Sequence, residues 1–497
     1  MKNLPDNPHI YQINLMTWLH ELSDRDGQNR TLATIPDKEW YLLKEKGMHI
    51  VWLMGIWERS PDSRKRAREE PSLVEECRNI LSNFVMEDIV GSPYAVHDYS
   101  PDPILGSMED LRLLKEKLEE MGLFLVLDFV PNHTACDHSW IEHHPDFFVR
   151  KKTGKNNCDE GFFRAGSEPF GPCIAHGKDP FYPPWTDTAQ LDYSNEKCVQ
   201  AVIETMSRIS DYCHGLRCDM AMLVMKEVFH KTWGPYLFKR EGAQEFWPMA
   251  INAVKSRNEG FVFLAESYWE TEYELQAQGF DYTYDKNLYD LLVRGDIEGV
   301  KSRLFTPLER QKKMIRFLEN HDEPRAFHIF GKEKIRCAMI IHATLPGMRL
   351  WQRGQFQGNL IRPPVQLRRG PREPVQKDVE VFCEVLLREV GQPVFHEGHW
   401  EMCATYGWAD NQSHENLLTW RWDLQEERRL IIANFSSSPA QGYVKLPLKW
   451  FKEGGQILFR DPLKGDLFLR PSTQVKKSGL FTGLESGDFH FFRIEKV

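Results

Sequence analysis

The stretch Leu123-Phe124-Leu125-Val126-Leu127-Asp128-Phe129-Val130-Pro131-Asn132-His133 decides the fold. Five apolar residues without polar alternation describe a strand covered on both faces, as in a parallel sheet. The run ends in a carboxylate. The same grammar recurs three times downstream: Gly215-Leu216-Arg217-Cys218 leads into Asp219, Phe261-Val262-Phe263-Leu264-Ala265 into Glu266, and Ile315-Arg316-Phe317-Leu318 into Glu319-Asn320-His321-Asp322-Glu323. Four strand-like runs thus end in acids.

Working outward, eight such runs (10–15, 49–54, 123–130, 215–219, 261–266, 280–284, 314–319 and 348–351) alternate with amphipathic stretches up to about residue 390. Helices are expected over 37–46, ended by Gly47, over 107–121, opened by Ser107 with Asp110 three residues on, and over 195–212. Eight strands interleaved with helices predict a (β/α)8 TIM barrel. A doubly wound sheet could give the same alternation, but no Gly-rich phosphate loop follows the first run. Segment 57–93 is charged and is expected to hold a helix over 71–84. Segment 134–190, irregular and rich in Gly, Pro, His and aromatics, is expected to be an inserted subdomain after strand 3. Beyond about 395 the texture changes to short strands at 417–421, 429–434, 442–446, 456–459, 466–469 and 490–494, an antiparallel β-sandwich domain. The expected division is 1–133 and 191–392 for the barrel, 134–190 for the insertion, and 393–497 for the C-terminal β-sandwich.

Composition bounds the function. The 497 residues carry 63 Lys+Arg against 72 Asp+Glu, a net charge of −9. No basic excess is available to neutralise phosphates, so nucleic acid is not the expected partner. The basic run 64–68 is followed by Glu69 and Glu70 and reads as a solvated helical face. No 18-residue apolar stretch is present, so no membrane span is expected. The first residues lack the apolar core of a signal peptide. With ten scattered cysteines and no C-x-x-C pair, the chain reads as cytoplasmic with reduced thiols. Cys136, Cys158 and Cys173 share a loop-like region with His133, His138, His143 and His144, but the spacings fit no zinc pattern. Oligomeric state is not readable.

In a barrel the C-terminal ends of the strands form one rim, so the four acids converge. Clustered carboxylates either bind divalent metals such as magnesium or manganese, or act as an acid/nucleophile pair on an acetal. Residues i and i+2 of a strand face the same way, so Arg217 and Asp219 lie side by side. The guanidinium is expected to depress the Asp219 pKa and leave it ionised and nucleophilic. Glu266 has no sequence-adjacent cation, so burial among negative neighbours should raise its pKa and make it the proton donor.

These segments resemble the four characteristic sequence regions of the α-amylase family of glycoside hydrolases (family thirteen). Asp128-Phe129-Val130-Pro131-Asn132-His133 resembles the first region and Gly215-Leu216-Arg217-Cys218-Asp219 the second. Ala265-Glu266 resembles the third and Asn320-His321-Asp322 the fourth, in the same order. The resemblance implies a retaining α-glycoside hydrolase acting on α-glucans or α-gluco-oligosaccharides. Asp219 would be nucleophile, Glu266 acid/base and Asp322 the residue gripping sugar hydroxyls. Arg217 would orient the nucleophile, His133 and His321 would bind sugar, Tyr94 would stack on it, and Asp128 and Asn132 would support the site. A glucanotransferase or glucoside isomerase would use the same residues, and some relatives of such folds are non-catalytic partner proteins. Many starch-degrading members carry Lys-His just beyond the nucleophile; here Met220-Ala221-Met222-Leu223 follows Asp219. That His also supplies a calcium ligand, so calcium is compatible with Asn132 but not implied, and no cofactor is expected. Trp140, Trp185, Tyr268 and Trp269 are candidates for stacking on further sugars.

Overall fold

The computed structural model describes residues 4–151, 158–165, 171–237, 244–447, 450 and 455–496. Its centre is a closed parallel barrel of eight strands: β1 (His9–Asn14), β2 (Ile50–Met54), β3 (Phe124–Phe129), β4 (Gly215–Cys218), β5 (Val262–Ala265), β6 (Tyr282–Tyr284), β7 (Met314–Arg316) and β8 (Met348–Gln352). Each strand pairs with its neighbours in chain order, and β8 closes on β1 with Ile10 opposite Leu350. All eight expected runs overlap these strands, because strands covered on both faces read as unbroken apolar sequence.

Period-two alternation sorts each strand's side chains. Ile10, Ile50, Trp52, Val126, Leu264, Ile315 and Leu350 point inward and fill the interior with one apolar cluster. Two residues beyond Val126 on β3 and Leu264 on β5 stand Asp128 and Glu266, and on β4 Arg217, opposite Asp128, is followed two residues on by Asp219, so the polar layer sits directly on an apolar plug. Gly215 begins β4 where a Cβ would meet the Val262 carbonyl oxygen at 2.6 Å, and only glycine allows that approach. Helices form as the sequence indicates. Met108–Glu120 is capped by Ser107, whose backbone N–H donates to Asp110 Oδ2 (2.8 Å) while Asp110 N–H donates to Ser107 Oγ (3.2 Å). Glu196–Ile209 follows the Asn195 cap.

Two local readings are corrected. The helix expected over 71–84 ends at Ile80, and a separate helix, Pro61–Glu69, precedes it and carries the basic run on its exposed face. Proline opens each helix, its missing N–H falling where no intrahelical partner exists. The insertion holds the antiparallel pair His133–Ala135 with Thr188–Gln190 and a small sheet of Arg150–Lys151, Cys173–Ala175 and Phe162–Arg164. The parts of that expected subdomain at 152–157 and 166–170 lie outside the described residues. Cys158 and Cys173 are joined by a disulfide, which corrects the expectation of reduced thiols at those two positions. Eight cysteines are free, seven of them buried.

The C-terminal part forms a six-stranded antiparallel sheet facing a three-stranded one, with strands at His399–Met402, Thr405–Tyr406 and Leu480–Leu484 beyond those expected. The face of the six-stranded sheet turned away from the three-stranded one joins the barrel's outer core through Trp420, Trp422, Ile431 and Phe491, while Leu430, Ile432 and Phe492 on its other face form a separate apolar cluster with Val444, Leu480 and Leu484. Trp420 Nε1 donates to Thr344 Oγ1 (3.2 Å) and Trp422 Nε1 to the Thr344 carbonyl (2.7 Å), at the end of barrel helix Ala326–Thr344. No described helix is long and apolar enough to cross a membrane.

Candidate active site

Three carboxylates meet on one guanidinium. Arg217, fully buried in β4, places Nη1 2.7 Å from Asp219 Oδ1 and 3.4 Å from Asp128 Oδ1, and Nη2 2.9 Å from Glu266 Oε2. The β4 register explains this: Arg217 lies opposite Asp128 on β3 and Leu264 on β5, and Glu266 follows two residues later on the same inward face. The guanidinium itself rests among aromatic rings, 5.2 Å from the centroid of Trp52, 5.5 Å from Tyr94 and 5.7 Å from Tyr284. Glu266 has no sequence-adjacent cation, as the sequence indicates, but the fold supplies Arg217 to it from the neighbouring strand.

The acids differ in their proton affinity. Burial pushes Glu266 up to about 7; Arg217 pulls it down, while Asp219 and Asp322 push it further up. Glu266 Oε2 accepts the Met220 N–H (2.7 Å), and Oε1 accepts the Tyr268 hydroxyl (3.0 Å). Met220 can reach because it adopts a left-handed conformation (φ 42°), unusual for a residue with a Cβ. Asp219 also moves up, since burial outweighs the Arg217 contact. The expected depression of this group is therefore corrected in sign: the guanidinium opposes desolvation without overcoming it. Asp128 moves up for the same reason. Asp322 moves down: burial opposes its ionisation, but His321 and Arg217 more than compensate.

His321 is fixed on both ring nitrogens. The Gln12 amide nitrogen donates to Nδ1 (2.6 Å), which leaves the proton on Nε2, 2.6 Å from the Tyr94 hydroxyl and 3.0 Å from Asp322 Oδ2. Tyr94 stacks on the His321 ring at 5.3 Å between centroids. The Asp322 carboxylate keeps 45% of its side-chain surface exposed, facing the open mouth. His133 is buried beside the half-buried Trp185 (5.2 Å), and burial takes its pKa down to about 4, so it is neutral at physiological pH.

Every expected site residue except Asn132 thus lines or supports this cluster, and the outer candidates divide. Asn132 Oδ1 accepts the Gln190 amide (3.0 Å) and its own amide nitrogen approaches His133, so its carbonyl is engaged within the protein. No group of three His, Cys, Asp or Glu side chains suited to a metal ion occurs among the described residues. Trp140 packs against His138 and Phe147 as core, not at the rim. Tyr268 hydrogen-bonds the acid instead of standing free. Trp269 is exposed and meets the exposed Phe181 edge-on at 5.0 Å. Gln12, Tyr284 and Trp52 were not anticipated; their signal is inward register on barrel strands, which becomes readable only once the strand frame is known.

A (β/α)8 barrel whose strand ends deliver one arginine and a set of unequal carboxylates to a single hollow is the architecture of a carbohydrate-active barrel. The family model for the α-amylase catalytic domain matches residues 22–362, and the chain belongs to that family. Among curated relatives, "Alpha-amylase MalA" of Haloarcula japonica is 24% identical over 51% of this chain and 34% of its own length. "Probable oligo-1,6-glucosidase 2" of Bacillus subtilis is 24% identical over 46% of this chain and 47% of its own. The matches thus span a third to a half of these relatives. Among solved structures, a maltogenic α-amylase from Thermotoga neapolitana superposes with a TM-score of 0.70 at 19% identity, covering 99% of each chain. An α-amylase from Geobacillus thermoleovorans gives 0.66 at 17%, also over 99% of each. These share the fold.

Proposed function

We propose that the protein is a retaining α-glycoside hydrolase acting on α-glucans or α-gluco-oligosaccharides. The observation that carries this reading is the sharing of Arg217 between Asp219 and Glu266, with Glu266 at about 7 and able to hold a proton near neutrality. Glu266 donates its proton to the glycosidic oxygen as Asp219 attacks the anomeric carbon, giving a glycosyl ester and the free alcohol. Glu266, now ionised, takes a proton from water, which displaces Asp219; two inversions give net retention. Asp322 and His321 hydrogen-bond the sugar hydroxyls, Tyr94 and His133 bound its faces, and Asp128 holds the frame. Glycosidases of the sort named among the relatives, an α-amylase and an oligo-1,6-glucosidase, use substrates of this class.

The test is product analysis on α-1,4, α-1,6 and α-1,1 glucosides and sucrose with the wild-type chain, Asp219→Asn and Glu266→Gln. Loss of about three orders of magnitude or more in either variant is expected; near-wild-type turnover refutes the assignment. A transferase reading draws on the exposed aromatic rim of Phe181, Tyr182 and Trp269, which would favour a sugar acceptor over water; products longer than the substrate identify it. We also infer the division 1–133 with 191–392, 134–190, and 393–497. A cytoplasmic location is supported by eight free cysteines and opposed by the Cys158–Cys173 disulfide, and alkylation in intact cells decides it.

A further inference from the structure

The loop after β8 differs in composition from the rest of the chain. Residues 353–373 contain five arginines (353, 362, 368, 369 and 372), one glutamate and no lysine, a charge of +4 within a chain of −9. This loop walls a cleft of about 1360 Å³ that opens beside His321 and is bounded by Asn14 at the end of β1, Gln352 of β8 and the residues 79–83.

Most of the charge in the cleft is engaged. Arg325 is held by Glu319 (2.6 Å), Arg369 by both Asp88 oxygens (2.6 and 2.7 Å), and Arg25 by Asp26 and Glu39. Of the three lining carboxylates, Glu21 is held by Arg353 (2.6 Å), Asp24 meets Arg372 (3.2 Å), and Glu373 accepts the N–H groups of Leu360 (2.7 Å) and Ile361 (3.2 Å). Arg362 and Arg372 hold their partners most loosely and keep donor capacity, Arg372 engaging Asp24 through a single nitrogen. Arg362 stands 3.7 Å from Glu76, beyond hydrogen-bond distance, and its charge reaches Asp322, where it helps keep that carboxylate ionised. Arg372 has 90% of its side chain exposed.

The direction of the cleft fixes which part of a glycoside it meets. Glu266 follows β5, so the leaving alcohol departs on that side of the barrel. The cleft lies by β8 and β1, and β1 is diametrically opposite β5 in an eight-stranded barrel. It therefore faces the glycone. Planar guanidinium forks bind phosphate oxygens in pairs, and a partly enclosed cleft strengthens that attraction.

We propose that the cleft recognises a phosphate carried on the glycone of the α-glucoside, with Arg362 and Arg372 as its binding residues. The inference rests on the glycosidase reading above and specifies its substrate class. No acid/base step is added: the phosphate is bound, not transferred.

The test compares kcat/KM of the full-length chain on 4-nitrophenyl α-glucoside and on the same compound 6-phosphorylated at glucose, together with calorimetric binding of glucose and glucose 6-phosphate to Glu266→Gln. A preference for the phosphorylated glycoside of about tenfold or more is expected, reduced to about unity in Arg362→Ala/Arg372→Ala. Partial recovery in Arg362→Lys is expected, and inorganic phosphate should inhibit competitively in the wild type. Turnover of the neutral glycoside with equal or slower turnover of the phosphorylated one overturns this inference and leaves the glycosidase reading standing. A preference unaltered in the double variant overturns the assignment of the two arginines. Failure to turn over either compound, with no discrimination between the two sugars in calorimetry, overturns both readings.

Discussion

Arg217 Nη2 contacts Glu266 Oε2 at 2.9 Å while the other arm of the same guanidinium holds Asp219 at 2.7 Å. The two acids are therefore bridged by one cation, and whichever ionises first draws its charge toward itself. Their titrations are coupled, so activity should report two apparent values belonging to the pair.

The pH profile of kcat/KM is expected to be bell-shaped. The proton donor must be protonated, so activity falls as pH rises through about 7, the value of Glu266. The nucleophile must be ionised, and because burial raises Asp219 the acid limb should lie above the ordinary aspartate range. Initial rates across pH 4–9 at subsaturating substrate measure both limbs; a flat profile through neutrality contradicts the assignment of Glu266.

Tyr268→Phe removes a hydroxyl that donates to Glu266 Oε1. That donation favours the carboxylate, so its loss should move the basic limb upward, with a several-fold fall in kcat. An unmoved or lowered limb, measured in the same rate series, would mean the hydroxyl does not serve the ionised form.

Arg217→Lys keeps one charge but loses the fork that reaches both acids. A fall of about two orders of magnitude in kcat is expected. The variant should also merge or shift the two limbs of the pH profile, an effect that loss of stability alone would not produce.

Asp285 accepts from Arg303 (3.0 Å) and pairs with Arg316, both buried, and it caps the helix Lys286–Arg294. Asp285→Ala leaves two buried cations without their shared anion. A loss of about 3–5 kcal/mol in denaturant unfolding is expected; a loss under 1 kcal/mol would show the pair to be dispensable.

Thiol titration of denatured, unreduced protein should return eight groups and reduced protein ten, given the Cys158–Cys173 bond. Ten groups without reductant would remove the bridge.

The barrel was readable because its strands are covered on both faces and announce themselves as apolar runs. The missed strands were not. His399–Met402 is short and half polar, and Leu480–Leu484 buries alternate positions while exposing Phe481, so neither presents an unbroken run. Within the site, Arg217 and Asp219 were paired correctly from their i, i+2 spacing. The Arg217–Glu266 contact escaped because it crosses from β4 to β5, and that register is fixed by barrel closure, not by local sequence. The sign of the Asp219 shift escaped for a related reason: proximity of a cation is legible in a strand, whereas the depth of burial that opposes it depends on all eight strands. The left-handed Met220, which aims a backbone N–H at Glu266, carries no compositional mark, since that conformation is ordinarily announced by glycine or asparagine.

Thr344 receives two indole N–H groups, those of Trp420 and Trp422, from one strand of the six-stranded C-terminal sheet. An expression boundary set at the last barrel helix would leave the apolar wall around that threonine facing water. The catalytic half could then be purified only with its rear partner attached, and swapping that partner between relatives would require carrying the tryptophan-bearing strand across with it.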